Sequence, residues 1–190
     1  MHWIRKVTIA VFIVTWLSLL MNAQTKLAAN TAAESQSVSK SLPNFYKINH
    51  QLYRGGQPKK DAFAELKKLG ISTIIDLRSS DENASRGKTL AEAAGLQFID
   101  VPLKNWGRPS NQDIDSIVAQ INDSKNQPVF VHCKRGSDRT GTVIAVYRIM
   151  HDGWTDKQAN AEAKKFGFGW WQVWMKDFIN DYYRDHAQKK

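Results

Sequence analysis

The sequence predicts an α/β domain, with a central, mostly parallel sheet flanked by helices. Two observations carry that reading. Strand and helix signals alternate along the chain, and the three strongest strand candidates are nearly unbroken apolar runs, as buried parallel strands are. The composition agrees. The chain has 190 residues, 42% apolar and 24% charged, which suits one folded domain plus an appendage.

The appendage comes first. Arg5 and Lys6 precede an uncharged apolar run over residues 7–21, the pattern of a secretory signal peptide. A membrane-spanning helix needs ~20 apolar residues, so the run is short for an anchor. Ala23 suits the last position before a cut, whereas Met21 stands where a small residue is preferred. Residues 1–23 are therefore expected to be a signal peptide, with an uncleaved N-terminal membrane anchor as the alternative. Residues 24–42 are rich in Ala, Ser, Thr, Asn and Gln and read as a flexible linker. The folded domain is expected over residues 43–187.

Within it, PNFYKINHQLYRGGQP reads as two short strands around Asn49-His50, closed by Gly55-Gly56 and Pro58. Phe63, Leu66 and Leu69 recur at helical spacing, and Gly70 stops that helix. Residues 71–77 (ISTIIDL) form a β-branched strand, a helix closes at Gly95, and residues 96–101 (LQFIDV) form the next strand. Ser110 can cap a helix through Ile114, Ile117, Val118 and Ile121. Residues 128–132 (PVFVH) are the third apolar strand, followed by a helix over about 139–151. Thr155-x-x-Gln158 is a capping box. The last helix is expected to pack Trp171, Trp174, Phe178 and Tyr182 as one face against the sheet.

Between PVFVH and its helix stands Cys133-Lys134-Arg135-Gly136-Ser137-Asp138-Arg139-Thr140-Gly141. A parallel strand delivers its last residue to the crevice where ligands bind, and the turn into a helix gathers backbone N–H groups at the positive end of the dipole. Gly136 permits the turn, and Gly141 allows close packing. The product is an anion cradle with a sulfur at its base. A helix N-terminus and nearby cations favour the thiolate, which is the nucleophile. Arg139 can return a planar fork to the same point, matching the oxygens of a phosphoryl group in a way that a lysine cannot. Thr140 offers a hydroxyl to the departing sulfur. A cysteine behind an apolar strand is otherwise a small buried hydrophobe. A glycine inside the loop and Arg139-Thr140-Gly141 opening a helix favour the nucleophile.

HCKRGSDRTG resembles the signature of the cysteine-dependent protein tyrosine and dual-specificity phosphatase superfamily. LYRGGQP, IIDLR and IAVYRIMHDGW extend the likeness to small bacterial dual-specificity-type phosphatases. The resemblance implies a phosphatase-like fold with a Cys-x5-Arg phosphate-binding loop and catalysis through a phosphocysteine on Cys133. Arg139 would bind the phosphoryl group, with Lys134, Arg135, Gly136, Ser137, Asp138 and Thr140 lining the anion site. His132 would fix the loop by hydrogen bonding, and Tyr53 and Arg54 would line the pocket or serve the turn. Neither cofactor nor metal is implied. Substrates would be phosphoproteins or inositol phosphates rather than nucleic acid, and the chain would act as a monomer. Its location is expected to be exported, either periplasmic or membrane-anchored facing the periplasm.

The general acid departs from the pattern. Family members place an Asp after the preceding strand, often just past a proline, but here Pro102 is followed by Leu103-Lys104-Asn105-Trp106. Asp100, Asp113 and Asp138 are the substitutes. Asp113 is preferred, although Ser110-x-x-Asp113 is also a favourable helix N-terminus. Without a working acid the loop would bind phosphate and turn over little.

A formal net charge of +9 draws anionic partners without choosing among them. Lys134, Arg135, Lys104 and Arg108 would together favour a substrate with several phosphates, as the likeness of Cys-Lys-Arg-Gly to enzymes of inositol pyrophosphates also implies. Otherwise these side chains simply face solvent. A sulfurtransferase would also seat a cysteine in an anion loop, but Arg-Thr-Gly entering a helix speaks against it.

Overall fold

The computed structural model describes residues 40–79 and 84–187. The expected leader and most of the linker lie outside them. Five strands form one sheet in the order β1-β2-β5-β3-β4. They are β1 (Tyr46–Lys47), β2 (Leu52–Gly55), β3 (Thr73–Asp76), β4 (Gln97–Asp100) and β5 (Val129–His132). Only β1, the exposed edge, runs antiparallel, and it pairs with β2 as a hairpin. The remaining pairs are parallel, with β5 between β2 and β3. The expected architecture is the observed one.

Side-chain alternation divides the sheet. Ile75, Val129 and Val131 face one side, where they pack with Ile114, Ile117 and Ile121 of α3 (Asn111–Asn122). Val143, Val146 and Tyr147 of α4 (Asp138–Asp152) join the same core. On the opposite side His132 shares a cavity lining with Phe63 of α1 (Ala62–Lys68) and Leu90 of α2 (Ala84–Ala93). Helix α4 is buried along most of its length, packed by α5 (Asp156–Lys165) and α6 (Val173–Ala187). Both expected caps are present. Ser110 accepts from the Asp113 N–H, and Thr155 accepts from the Gln158 N–H.

Three expectations need correction. The fold starts before residue 43, because Leu42 is only 1% exposed and Ser41 Oγ donates to Glu65 Oε2 at 2.6 Å. Leu69 is the C-cap of α1 and is exposed, so it leaves the core face. Trp171 and Trp174 are not core either, being 38% and 55% exposed. Helix α6 begins only at Val173 and buries Met175, Phe178, Ile179 and Tyr182. That i, i+3, i+4, i+7 stripe leaves Trp174 about 100° off the buried face.

Candidate active site

The parallel sheet ends at His132, and residues 133–137 turn from β5 into α4. At this turn Gly136 has φ +75°, and a Cβ there would lie 2.5 Å from the backbone of Gly55 and Gly56. Only glycine fits so close an approach. Gly141 does the second close packing, since a Cβ there would stand 2.9 Å from the Phe168 ring.

Three donors from outside the loop hold its carbonyls. The Gln57 N–H donates to the Lys134 carbonyl at 3.1 Å, and Asn44 Nδ2 donates to the Arg135 carbonyl at 2.8 Å. Arg54 Nη2 donates to the Gly136 carbonyl. A trans peptide points its N–H opposite its C=O. Turning these three carbonyls outward therefore turns the N–H groups of Arg135, Gly136 and Ser137 inward, an arrangement suited to an anion.

Inside lies a pocket of about 250 Å³ lined by Asn105, Cys133, Lys134, Arg135, Asp138 and Arg139. Cys133 is 3% exposed at its base. Arg139 is buried across from it, its Nη1 donating to the carbonyls of Leu77 at 3.3 Å and Leu103 at 3.5 Å. These bonds tie the guanidinium to the segments that follow β3 and β4, which set its direction. Asp138 braces the rim: it accepts from the Gly169 N–H at 2.8 Å and from Arg135 Nη2 at 2.6 Å.

Not every expected site residue reaches this pocket. Thr140 is fully buried, its hydroxyl 3.5 Å from the Gly55 carbonyl, and Ser137 Oγ accepts from Asn44 Nδ2 at 3.5 Å. Both sit behind the loop. Asp113 stands at the exposed start of α3, where its Oδ2 accepts from Ser110 Oγ at 2.6 Å, and it does not line the pocket. Asp100 does not line it either, although burial and then neighbouring Asp76 push its carboxyl above the ordinary value. Among the four expected cations, Lys134 and Arg135 line the pocket. Arg108 turns away to pair with Asp181 at 2.7 Å, and Lys104 is exposed outside the lining.

Support from behind the loop comes from residues on the neighbouring strands. Arg54 does not line the pocket but lies beneath it, fully buried, with its guanidinium 4.0 Å above the Phe166 ring. Its Nε and Nη1 have no hydrogen-bond partner. Burial lowers its pKa to about 10, against the attraction of Glu162 and Cys133, so it is charged at neutral pH. On the other side, Asp76 takes a bidentate fork from Arg78, with Nε–Oδ1 at 3.0 Å and Nη2–Oδ2 at 2.6 Å. His132 Nδ1 lies 3.3 Å from the Cys133 carbonyl, an oxygen that only accepts, which places the proton on Nδ1. Burial holds His132 below its ordinary pKa, outweighing the pull of Asp76, so its ring is neutral.

A family model described as a DSP-PTPase phosphatase fused to NAD+ kinase matches residues 23–179. The chain belongs to the DSP-PTPase family. The dual specificity protein phosphatase TpbA of Pseudomonas aeruginosa is 29% identical over 168 residues, 88% of this chain and 74% of that one. Inositol diphosphatase DSP5 of Arabidopsis thaliana is 26% identical over 144 residues, covering 74% and 70%. The solved structure of TpbA with phosphotyrosine superposes with a TM-score of 0.63 over 76% of this chain and 90% of that one. At 23% identity this likeness speaks to the fold alone. As a DSP-PTPase, the chain is a cysteine-dependent phosphatase of the dual-specificity type.

Proposed function

We propose that the chain hydrolyses phosphomonoesters through a phosphocysteine on Cys133, with Arg139 binding the phosphoryl oxygens. The observation that carries this reading is the loop whose Lys134, Arg135 and Gly136 carbonyls are held outward around a buried sulfur. Cys133 Sγ attacks phosphorus with its electron pair as the bond to the leaving oxygen breaks, and that oxygen takes a proton from solvent water. Water then attacks phosphorus and gives up a proton to solvent, the S–P bond breaks, and phosphate leaves while the sulfur regains its electron pair. Inward N–H groups and the Arg139 fork stabilise the charge on the equatorial oxygens in both steps.

Phosphotyrosine and inositol phosphates are the substrate classes supported by TpbA and DSP5. Asp138 already accepts two hydrogen bonds, and its pocket neighbour Asn105 is not an acid. This favours leaving groups that need little protonation, such as phenols and phosphoanhydrides. The test is rapid-quench mass analysis during p-nitrophenyl phosphate turnover. Wild type should carry a covalent phosphoryl group, and Cys133→Ser should carry none and lose turnover. Activity that survives Cys133→Ser would end the reading. Export rests on the basic flank and apolar run at the N-terminus. A reporter enzyme active only outside the cytoplasm, fused after residue 42, tests it, and an inactive fusion would refute it.

A further inference from the structure

The tryptophans that the core leaves out gather beside the active pocket. Trp170, on the α5–α6 connection, is 88% exposed, and Trp171, Val173 and Trp174 follow it on the surface. Trp106, 59% exposed, comes from the β4–α3 connection. That connection is tied to the same place, because Gln172 Nε2 donates to the Asn105 carbonyl at 3.2 Å.

This group is built in, not left over. A Cβ on Gly169 would lie 2.5 Å from the Trp171 ring, so only a glycine lets that indole rest on the backbone. The Trp170 ring meets it edge-on at 5.8 Å between centroids, and the Arg135 guanidinium also lies 5.8 Å from its centroid. Gly169 itself donates to Asp138. Three residues of the pocket lining, Asn105, Arg135 and Asp138, are thus each joined to the tryptophan platform.

A clustered apolar surface of this kind marks a contact site. Three observations choose what covers it. The exposed side chains are mostly indoles, which favour the boundary between water and lipid, whereas Met175 and Ile179 of α6 are buried. The tryptophans project rather than line a hollow: neither the pocket of about 250 Å³ nor the cavity of about 780 Å³ on the α1–α2 side includes one. Exposed cations flank them, with Lys104 two residues before Trp106, Arg135 beside Trp171, and Lys176 one turn after Val173. Arg135 shares its charge with Asp138, and Asp177 stands one turn after Trp174, but the chain as a whole carries +9. Positive charge around tryptophans complements an anionic lipid surface.

We propose that this platform docks the domain on the surface of an anionic phospholipid bilayer. Among the described residues no helix is long and apolar enough to cross a membrane, so the indoles enter the headgroup region while the domain stays outside. Docking sets the mouth of the pocket beside the headgroups, through Asn105 and Arg135.

The test mixes the full chain with phosphatidylglycerol–phosphatidylcholine vesicles whose brominated acyl chains quench nearby indoles. The comparison is the double variant Trp170→Ser, Trp174→Ser. Two of the seven tryptophans, Trp3 and Trp16, lie in residues 1–23, so insertion of that segment would quench as well. The direction of change separates the two sources. If the platform docks, the variant has lost quenched indoles and its fractional quenching falls. If only residues 1–23 insert, the variant has lost unquenched indoles, its fractional quenching rises, and the proposal is overturned. Wild type left unquenched would overturn it as well, as would equal quenching by vesicles of phosphatidylcholine alone. A dimer that dissociates in the variant, or an acidic peptide that loses affinity for it while vesicles quench nothing, would reassign the platform to a second copy or a protein partner. Turnover of p-nitrophenyl phosphate without vesicles should be unchanged in the variant, and Trp170→Ser alone repeats the reading should the double change disturb the fold.

Discussion

Two buried arginines stand on either side of the strand that carries the nucleophile, and they are provided for in opposite ways. Arg78, after β3, meets its carboxylate in a bidentate fork two residues away, with both partners at most 1% exposed. Arg54, on β2, is equally buried but has one carbonyl, one aromatic face and two unpartnered nitrogens. A buried charge with orphan donors costs stability, and proteins keep such groups where function uses the field. The comparison separates a cation that holds the scaffold together from one that holds the loop in shape and projects charge toward Cys133.

Removing one partner of a buried pair is the largest perturbation available. Arg78→Met strands the Asp76 carboxylate and should cost about 3–5 kcal/mol, visible as a lower urea midpoint. Adding Asp76→Asn removes the stranded charge and should recover much of that loss. If the double variant is no more stable than the single one, the pair is not the source of the cost.

Arg54→Met should behave in reverse. The loss of the bond to Gly136 is offset by removal of two unpaired donors, so stability should shift by less than about 1 kcal/mol. Catalysis should suffer more, with kcat/KM toward p-nitrophenyl phosphate down about 10- to 100-fold, because Arg54 holds the Gly136 carbonyl outward. Arg54→Lys keeps a charge and a donor for the Gly136 carbonyl and should restore part of the rate. Should Arg54→Met unfold the chain as readily as Arg78→Met, the two arginines would be doing the same job.

The contrast also shows which parts of the molecule were legible before folding. β3, β5 and the signature loop rest on local rules: apolar runs, a glycine where φ must be positive, and a helix that follows at once. Ser110 and Thr155 likewise announce their caps within four residues. Arg54 and Gly136 are 82 residues apart and meet only because β2 pairs with β5, which strand propensity does not encode. In the last helix the sequence admits two apolar stripes that share Phe178 and Tyr182. Tertiary packing selected the one through Met175 and Ile179 and left the tryptophans outside. Composition likewise missed Leu42, whose burial depends on contacts made by the finished fold.

Acid should dismantle the Arg78 side in two stages. His132 is held below its ordinary value of 6.5, so the unfolded chain binds a proton there that the native chain refuses. Stability therefore falls as pH drops below about 6.5, until the native ring can also be protonated. Burial pushes the Asp76 carboxyl up, but the charge of His132 once its ring is protonated, together with the Arg78 fork, holds it below its ordinary 3.8. Its contribution is present above that value and is lost as pH falls through the lower native one. Urea midpoints at pH 7.5, 6.0 and 5.0 should decline. A His132→Asn chain should decline less over the same interval, and an equal decline would remove His132 as the cause.

The smallest effect belongs to Asp113, and it bears on the chemistry more than on the fold. Its carboxylate completes the cap of α3 at 2.6 Å from Ser110 Oγ, outside the pocket. Losing a cap costs about 1 kcal/mol, so Asp113→Ala should lower stability by that amount. A proton donor must reach the leaving oxygen, and a carboxyl committed to a helix N-terminus does not, so kcat and its pH profile should be unchanged. The informative comparison is between leaving groups. If Asp113→Ala slows an alkyl phosphate far more than p-nitrophenyl phosphate, the carboxyl leaves its cap during turnover and is the acid. If both rates hold, protonation comes from elsewhere, and rates across a series of aryl phosphates should fall steeply as the leaving phenol becomes more basic.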